Sequence, residues 1–342
     1  MRLRRSDCAD PGLTRRRRGR GFQYLDHHGE RIDDAETLAR IGQLAIPPAW
    51  RDVWICADPR GHLQATGIDA AGRKQYLYHD HWRAHRDRLK FDSMIEFAHA
   101  LPRLRRRVAR DLRDMDREHP GRDQVLGCSV RLLDLGFFRI GSEDYAERNG
   151  SYGLATMLKR QVSIVDGQLV FDYTAKSGLR RVQAIADDDA RAVVSELKRR
   201  RGGGTQLLAY RENGHWADVR SAEINDYIKA ATGGDFSAKD FRTWNATVLA
   251  AVALAAAESG PAGSATKASR NRKVSAAVKT VAAYLGNTPA VCRASYIDPR
   301  VFDKYRAGVT IADTLRGVGG APDLAKTRVR SRVERAVLEL LE

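Results

Sequence analysis

The apolar positions of this chain recur at two spacings, one typical of β-strands and one typical of α-helices. Asp166-Gly167 is the strongest hairpin signal, because this dipeptide favours the tight turn that joins two antiparallel strands. The remaining strand candidates are short and are bounded by turns that contain Gly or Pro. The predicted strands are residues 53–57, 62–66, 74–78, 161–165, 168–173 and 180–185.

Apolar residues three and four positions apart predict helices through much of the remaining sequence. The helix at residues 274–285 should end at Gly286, since glycine readily takes the left-handed conformation that follows a helix. Pro289 is expected to prevent the helix from resuming, so residues 286–299 should form a short irregular segment. The other predicted helices are residues 91–101, 104–115, 124–135, 187–201, 222–231, 237–258 and 325–342.

The charge balance indicates a polyanionic partner. Lys and Arg outnumber Asp and Glu by 59 to 43, which gives the 342-residue chain a formal net charge of +16. Because such an imbalance destabilises a compact protein by self-repulsion, it favours binding to nucleic acid. An anionic membrane surface is the alternative, but no uncharged apolar run reaches the roughly 18 residues of a spanning helix. We therefore expect no membrane association.

The N-terminus and the cysteines narrow the picture further. The four cysteines form no Cys-x-x-Cys pair and the histidines show no ligand spacing, so we expect neither a metal site nor a cofactor. The arginine-rich N-terminus lacks the apolar core of a signal peptide, which favours a cytoplasmic protein. Residues 1–21, with consecutive arginines at 15–18, are expected to form a mobile basic tail that adds nonspecific phosphate affinity.

Two basic residues stand where their charge suggests a ligand. Arg139 lies between bulky apolar residues and a glycine, where a guanidinium needs a fixed anionic partner. Glu143 could be that partner, and a ligand phosphate is the alternative; Tyr145 would then lie near the same ligand. Lys176 is expected at a hairpin tip, either as an ordinary exposed lysine or as a proton donor to a bound substrate.

Two further groups of residues have both a structural and a functional interpretation. Lys239 and Arg242 fall on one side of a helix near its N-terminus, where backbone N–H groups also favour an anion; two solvated charges are the alternative. Gln75, Tyr76 and Tyr78 either pack on a neighbouring helix or stack on and hydrogen-bond to nucleic acid.

Taken together, these residues resemble the active-site set of the type IB DNA topoisomerases, most closely that of the compact poxvirus and bacterial enzymes. The resemblance spans about residues 22–315 and includes the strand KQYLY. Much of the family has histidine where this chain has Asn287, so this position keeps a hydrogen-bond donor without the imidazole. The motifs are FFRIGSE with Arg139, TAKSG with Lys176, KDFRTWNAT with Lys239 and Arg242, LGNTP with Asn287 and CRASYIDP with Tyr296.

The resemblance implies an enzyme that relaxes supercoiled duplex DNA without ATP or metal. Tyr296 would attack a backbone phosphorus to form a 3′-phosphotyrosyl intermediate, and the arginines and Asn287 would stabilise the charge on the nonbridging oxygens. Lys176 would protonate the leaving 5′ oxygen. The implied catalytic residues are Arg139, Lys176, Arg242, Asn287 and Tyr296, and the DNA-binding candidates are Gln75, Tyr76, Tyr78, Tyr145 and Lys239.

Two alternatives remain at this point. Tyrosine site-specific recombinases resemble this family, but the histidines that they commonly carry around the second arginine are replaced here by Lys239 and Thr243. A non-enzymatic basic DNA-binding protein would explain the net charge, but it would not need a placed tyrosine, lysine and arginine pair.

The expected fold is α+β, a two-lobed clamp. Residues 22–90 should form a small β-rich DNA-binding domain, and residues 91–342 a mainly α-helical catalytic domain that contains a three-stranded antiparallel sheet. We expect a monomer that acts on duplex DNA in the cytoplasm, in association with the nucleoid.

Overall fold

The computed structural model describes residues 1–113, 119–258 and 266–342, apart from the side chains of residues 144 and 145. The chain divides into two compact units, Met1–Phe91 and Asp92–Glu342. The predicted α+β class is confirmed: a small β-rich region with an antiparallel sheet precedes a mainly helical region with a three-stranded antiparallel sheet. The clamp arrangement and the predicted domain boundaries stay predictions.

The first unit is built on a five-stranded antiparallel sheet of order β2-β1-β3-β4-β5, with one helix packed on it. The helix begins after Asp34, whose carboxylate accepts a hydrogen bond from the Thr37 N–H at 2.8 Å. Its buried residue Ile41 joins Ile55 and Ala65 of the sheet in the core. The elements are β1 (Leu13–Arg18), β2 (Gly21–Leu25), α1 (Ala35–Gln43), β3 (Arg51–Ile55), β4 (Leu63–Ile68) and β5 (Lys74–Tyr78).

The prediction that residues 1–21 form a mobile basic tail is wrong for Leu13–Arg18, which is a strand paired with β2 and β3. The Arg15 guanidinium donates to the carbonyl oxygens of Ile46 and Trp50, at 3.1 and 2.8 Å. The consecutive arginines obscured a strand because only its first residue is buried and the charged side chains lie on its exposed parts.

The second unit surrounds one apolar helix, α7, which packs against α3, α6, α8, α10, α11 and α12. The boundary between the two units falls within α2. No described helix is long and apolar enough to cross a membrane. The helices are α2 (Asp80–Leu112), α3 (Arg122–Gly136), α4 (Glu143–Asn149), α5 (Asp188–Arg199), α6 (Ser221–Thr232), α7 (Ala238–Ala256), α8 (Lys267–Leu285), α9 (Pro289–Ser295), α10 (Pro299–Arg306), α11 (Ala312–Arg316) and α12 (Thr327–Leu341).

The predicted three-stranded sheet has the order β6-β7-β8 and is antiparallel throughout. Asp166 and Gly167 form the first turn with φ of 49° and 77°, the two positive values that this turn needs. A separate two-stranded hairpin lies before α6. The strands are β6 (Val162–Val165), β7 (Gln168–Thr174), β8 (Arg180–Ile185), β9 (Ala209–Glu212) and β10 (His215–Asp218).

Two predictions about prolines are wrong. The predicted helices 91–101 and 104–115 belong, as far as Leu112, to one continuous helix, in which Pro102 is an interior residue between buried Leu101 and Leu104. Residues 114 and 115 lie outside the described residues. Residues 289–295 are not irregular but form α9, because proline suits the first position of a helix, where its missing N–H would have no partner.

Candidate active site

Three arginines from different parts of the second unit meet at the C-terminal end of α8. This arginine cluster consists of Arg139, which follows α3, Arg181 in β8 and Arg242 in α7. Arg181 donates to the carbonyl oxygen of Tyr284 at 2.6 Å, Arg242 to that of Leu285 at 2.9 Å, and Arg139 to that of Gly286 at 3.3 Å. Three consecutive carbonyl groups therefore hold three guanidiniums.

The position of the arginine cluster follows from the chemistry of a helix end. The last carbonyl groups of a helix lack partners within it and carry the negative end of its dipole, so they attract cationic donors. Gly286 ends α8 in the left-handed conformation, with φ of 62°. A Cβ atom there would lie 2.1 Å from Arg181 Nη1, so both the backbone angle and the packing require glycine.

No described carboxylate forms an ion pair with the arginine cluster. The alternative that Glu143 neutralises Arg139 is not observed, because the Glu143 carboxylate accepts the Ser221 N–H at 3.1 Å. Arg242 is only 4% exposed, and burial together with the charge of Arg139 lowers its pKa to about 10. The cluster thus carries positive charge that backbone carbonyl groups only partly offset.

Tyr296 lies beside this charge, immediately after α9. Its N–H donates to the Cys292 carbonyl oxygen at 3.0 Å, and its own carbonyl oxygen accepts from Thr247 Oγ1 of α7 at 3.4 Å. The Arg242 guanidinium carbon lies 5.2 Å from the centre of the half-buried phenol ring. The end of α9 and the middle of α7 thereby fix the backbone that carries the phenol.

The surroundings of Tyr296 favour its ionised form. Burial is the largest single influence and opposes ionisation, but the charges of Arg242 and Arg139 and hydrogen bonding to both outweigh it, so the pKa of Tyr296 is lowered. A phenolate is the nucleophilic form of tyrosine. The electrostatics are therefore those of an activated nucleophile.

One cavity of about 310 Å³ brings together four of the five predicted catalytic residues and Lys239. Its wall includes Arg139, Lys176, Lys239, Arg242 and Tyr296, with Ile140, Gly141, Ser142, Ser151, Tyr152 and Ala238. Five cationic or nucleophilic side chains around such a space form an anion-binding site.

The two lysines reach the cavity from its exposed side. Lys176 begins the turn between β7 and β8, where Ser177 and Gly178 have φ of 68° and 73°, which confirms its predicted position at a hairpin tip. Lys239 lies in the first turn of α7, after Ser237, whose side chain hydrogen-bonds to Asp240 at 3.0 Å. Both lysine side chains are exposed, and no described carboxylate pairs with either.

Asn287 is not among the described residues that line the cavity. Its Oδ1 accepts a hydrogen bond from Arg139 Nη2, so it orients that guanidinium directly. Its Nδ2 is buried and has no partner among the described residues. The amide therefore retains one unused donor beside the site.

The first unit carries the other predicted DNA-binding residues on β5. Tyr76 and Tyr78 are 47% and 39% exposed, and their rings stack with centroids 6.2 Å apart, whereas Leu77 packs on the core. The two tyrosines are thus displayed side by side and not packed away. Gln75 donates to Asp69 at 2.9 Å. The side chain of Tyr145 lies outside the described residues.

Sequence analysis missed Arg181. The signal was present in the alternation of β8, which places Arg181 with Gln183 and buried Ile185 on one face, opposite exposed Arg180 and Val182. An arginine on the inner face of a strand needs a partner, and here the partner is the Tyr284 carbonyl group of a distant helix.

The described residues contain no group of three or more His, Cys, Asp or Glu side chains placed to hold a metal ion.

The family model for the catalytic core of eukaryotic DNA topoisomerase I matches residues 79–320, and that for the N-terminal domain of bacterial DNA topoisomerase IB matches residues 21–69. DNA topoisomerase 1B of Acanthamoeba polyphaga mimivirus is 28% identical over 298 residues, which cover 86% of this chain and 88% of the relative.

Proposed function

Given that this chain belongs to the type IB DNA topoisomerases, isomerases that relax supercoiled DNA, we propose that it cuts one strand of duplex DNA through a 3′-phosphotyrosyl intermediate at Tyr296 and religates it without ATP or metal. The observation that supports this most directly is the lowered pKa of Tyr296 beside a carboxylate-free arginine cluster. Family membership sets aside a recombinase and a passive DNA-binding protein.

In the proposed cleavage step, the Tyr296 phenolate oxygen forms a bond to phosphorus and the bond from phosphorus to the 5′ oxygen breaks. Arg139 and Arg242 bind the nonbridging oxygens, since guanidiniums present paired N–H donors that match them. The charge of the pentacoordinate transition state is thereby stabilised in a partly buried site. The tyrosyl ester keeps the bond energy, so attack by the 5′ hydroxyl reverses the step without ATP.

The leaving 5′ oxygen needs a proton, and Lys176 is its proposed donor. Its ammonium group is carried on a flexible stem at the turn after β7 and lines the same cavity as Tyr296. Asn287, whose Nδ2 has no partner among the described residues, is the proposed further donor to the same phosphate, and Lys239, which lines the cavity, is proposed to bind an adjacent one.

The exposed tyrosines of β5 are the proposed contacts between the first unit and the DNA. Aromatic rings and neighbouring polar groups bind nucleic acid by stacking and hydrogen bonding, which suits Tyr76, Tyr78 and Gln75. Tyr145 remains a further candidate from the sequence. We also propose that the enzyme acts as a monomer, on the nucleoid in the cytoplasm, and that the cut duplex rotates before religation.

The direct test is relaxation of a negatively supercoiled plasmid in EDTA without ATP, by the unaltered protein and by Tyr296→Phe. We expect relaxed closed circles and a covalent protein–DNA adduct from the unaltered protein, and binding without either product from the variant. The adduct should remain on the DNA strand that ends in the 3′ phosphate.

Tyr305→Phe is the matched control, because Tyr305 is a buried tyrosine of α10 whose hydroxyl has no described partner. This control should relax the plasmid at the unaltered rate. Relaxation by Tyr296→Phe at that same rate would show that Tyr296 is not the nucleophile.

A further inference from the structure

We propose that Arg181 is a positioning residue of this active site, one that fixes the carbonyl row of α8 and thereby the placement of Arg139 and Arg242 around the phosphate. The inference rests on the proposed function, since it concerns the same cleavage step. Arg181 does not line the cavity, so its effect must pass through the groups that it holds.

The contacts of Arg181 are with the last turn of α8. Its Nη2 donates to the Tyr284 carbonyl oxygen at 2.6 Å and to Gln183 Oε1 at 3.3 Å. Its Nη1 lies against Gly286, in the space that a Cβ atom would need. Arg181 therefore holds the helix end without lining the active-site cavity.

The braced carbonyl groups are consecutive with those that hold the other two arginines. Tyr284 is followed by Leu285, which accepts from Arg242, and by Gly286, which accepts from Arg139. Adjacent peptide groups share a Cα atom, so we infer that a displacement of the Tyr284 carbonyl group would also shift the two acceptors that follow it. The three hydrogen bonds are therefore coupled through adjacent peptide groups.

The charges of the same three arginines act on one buried tyrosine. Tyr173 of β7 lies opposite Arg181 in the sheet register and is 4% exposed. Burial raises its pKa, and the charges of Arg181, Arg242 and Arg139 all act to lower it. Arg181 is thus part of the cluster in space as well as along α8.

The energetic setting also argues against a purely structural role. Burial lowers the pKa of Arg181, and the charge of Arg139 lowers it further. A helix end is readily capped by water or by a neutral side chain, whereas a third guanidinium adds repulsion inside the cluster. The charge of a bound phosphate would offset that repulsion.

The test measures single-turnover cleavage of a duplex oligonucleotide, with Arg181→Gln and Arg181→Lys compared with the unaltered protein. At saturating DNA we expect Arg181→Gln to cleave about 10- to 100-fold more slowly, because small misplacements of catalytic groups have effects of this order. Its Kd for DNA should change by less than about threefold, since Arg181 does not touch the phosphate. Arg181→Lys should recover much of the rate by restoring the charge and one hydrogen bond.

The pH dependence separates positioning from mere loss of folding. The pKa of Tyr296 is lowered by Arg242 and Arg139, so a looser placement of both should let it rise. The rate of Arg181→Gln should therefore begin to increase at higher pH than that of the unaltered protein. A variant that was only less stable would have a lower Tm but an unchanged pH profile.

Arg180→Gln is the matched control, because Arg180 is the preceding residue of β8, is 75% exposed and pairs with Asp172 at 2.6 Å. It should cleave at the unaltered rate with the unaltered pH profile. If the unaltered protein forms no covalent adduct, the proposed function falls and this inference falls with it. If the unaltered protein cleaves and Arg181→Gln matches it in rate and pH profile, only the inference is wrong.

Discussion

Two groups of arginines in the second unit differ in the partners of their guanidiniums. In the paired group, Arg105 donates to Asp134 at 2.8 Å and to Glu334 at 2.6 Å, and Arg330 donates to the same Asp134 at 2.6 Å. In the arginine cluster at the end of α8, the described partners of the three guanidiniums are backbone carbonyl oxygens, the amide oxygens of Asn287 and Gln183 and the Tyr296 hydroxyl, and none is a carboxylate.

The difference in partners reverses the electrostatics. Burial opposes the charge of Asp134, but Arg105 and Arg330 outweigh it and lower its pKa to about 2; the carboxylates in turn raise the pKa of Arg105. Burial and neighbouring charge instead lower the pKa of Arg242 to about 10. An arginine that is paired with a carboxylate of the protein stabilises the fold. An arginine that has no such carboxylate partner can bind an anion from outside.

The largest expected effect comes from removing a charge of the cluster. Arg242→Gln should slow DNA cleavage by about 10³- to 10⁵-fold, the range that a transition-state arginine provides in phosphoryl transfer. Its Tm should stay the same or rise, because a guanidinium whose pKa is lowered in the folded state is destabilising there. Single-turnover cleavage and thermal unfolding of one preparation measure both. A fall in Tm with cleavage retained would show that Arg242 stabilises the fold, as the arginines of the paired group do, and does not serve catalysis.

The paired group should show the reverse behaviour. Asp134→Asn leaves two buried guanidiniums short of a carboxylate, so we expect a loss of about 3–5 kcal/mol in the free energy of unfolding. The cleavage rate for each folded molecule should stay within about threefold of the unaltered one, since Asp134 does not line the active-site cavity. Denaturant titration gives the stability and active-site titration gives the folded fraction. An unchanged midpoint would contradict the comparison.

The smallest effect concerns acid stability. The pKa of Asp134 is about 2 in the folded protein and near 3.8 when unperturbed, so its contribution is complete above about pH 4 and is lost as the pH falls towards 2. The linked change is about 2 kcal/mol. The stability gap between the unaltered protein and Asp134→Asn should therefore narrow by about 1.6 kcal/mol between pH 6 and pH 2.5. A gap that does not change with pH would show that the carboxylate is not stabilised by its charge.

Local patterns in the sequence predicted the elements that carry the site. The turn at Asp166-Gly167 and the helix end at Gly286 depend on backbone angles that few residue types adopt, so they can be read from short stretches. The resemblance of the motifs then placed Arg139, Lys176 and Arg242, and the structure brings them to one cavity with Tyr296 and Lys239.

Contacts between distant parts of the chain could not be predicted in this way. The first two residues of β1, Leu13 and Thr14, pair with β3, about forty residues later in the sequence, whereas the arginine run pairs with β2. Arg181 finds its partner at Tyr284, and Glu143 binds the N–H of Ser221 instead of pairing with Arg139. Hydrophobic spacing reports which face of an element is buried, but not which element covers it.

The short helix α9 fixes the direction in which the Tyr296 side chain leaves the backbone. It runs from Pro289 to Ser295, so a helical segment joins Tyr296, the proposed nucleophile, to the turn that contains the Leu285 and Gly286 acceptors. Each residue of a helix turns the chain by about 100° and advances it by about 1.5 Å. The number of residues between Gly286 and Tyr296 therefore sets the direction of the phenol. A single inserted residue would turn the phenol away from the guanidiniums, although every residue of the site would still be present in the sequence.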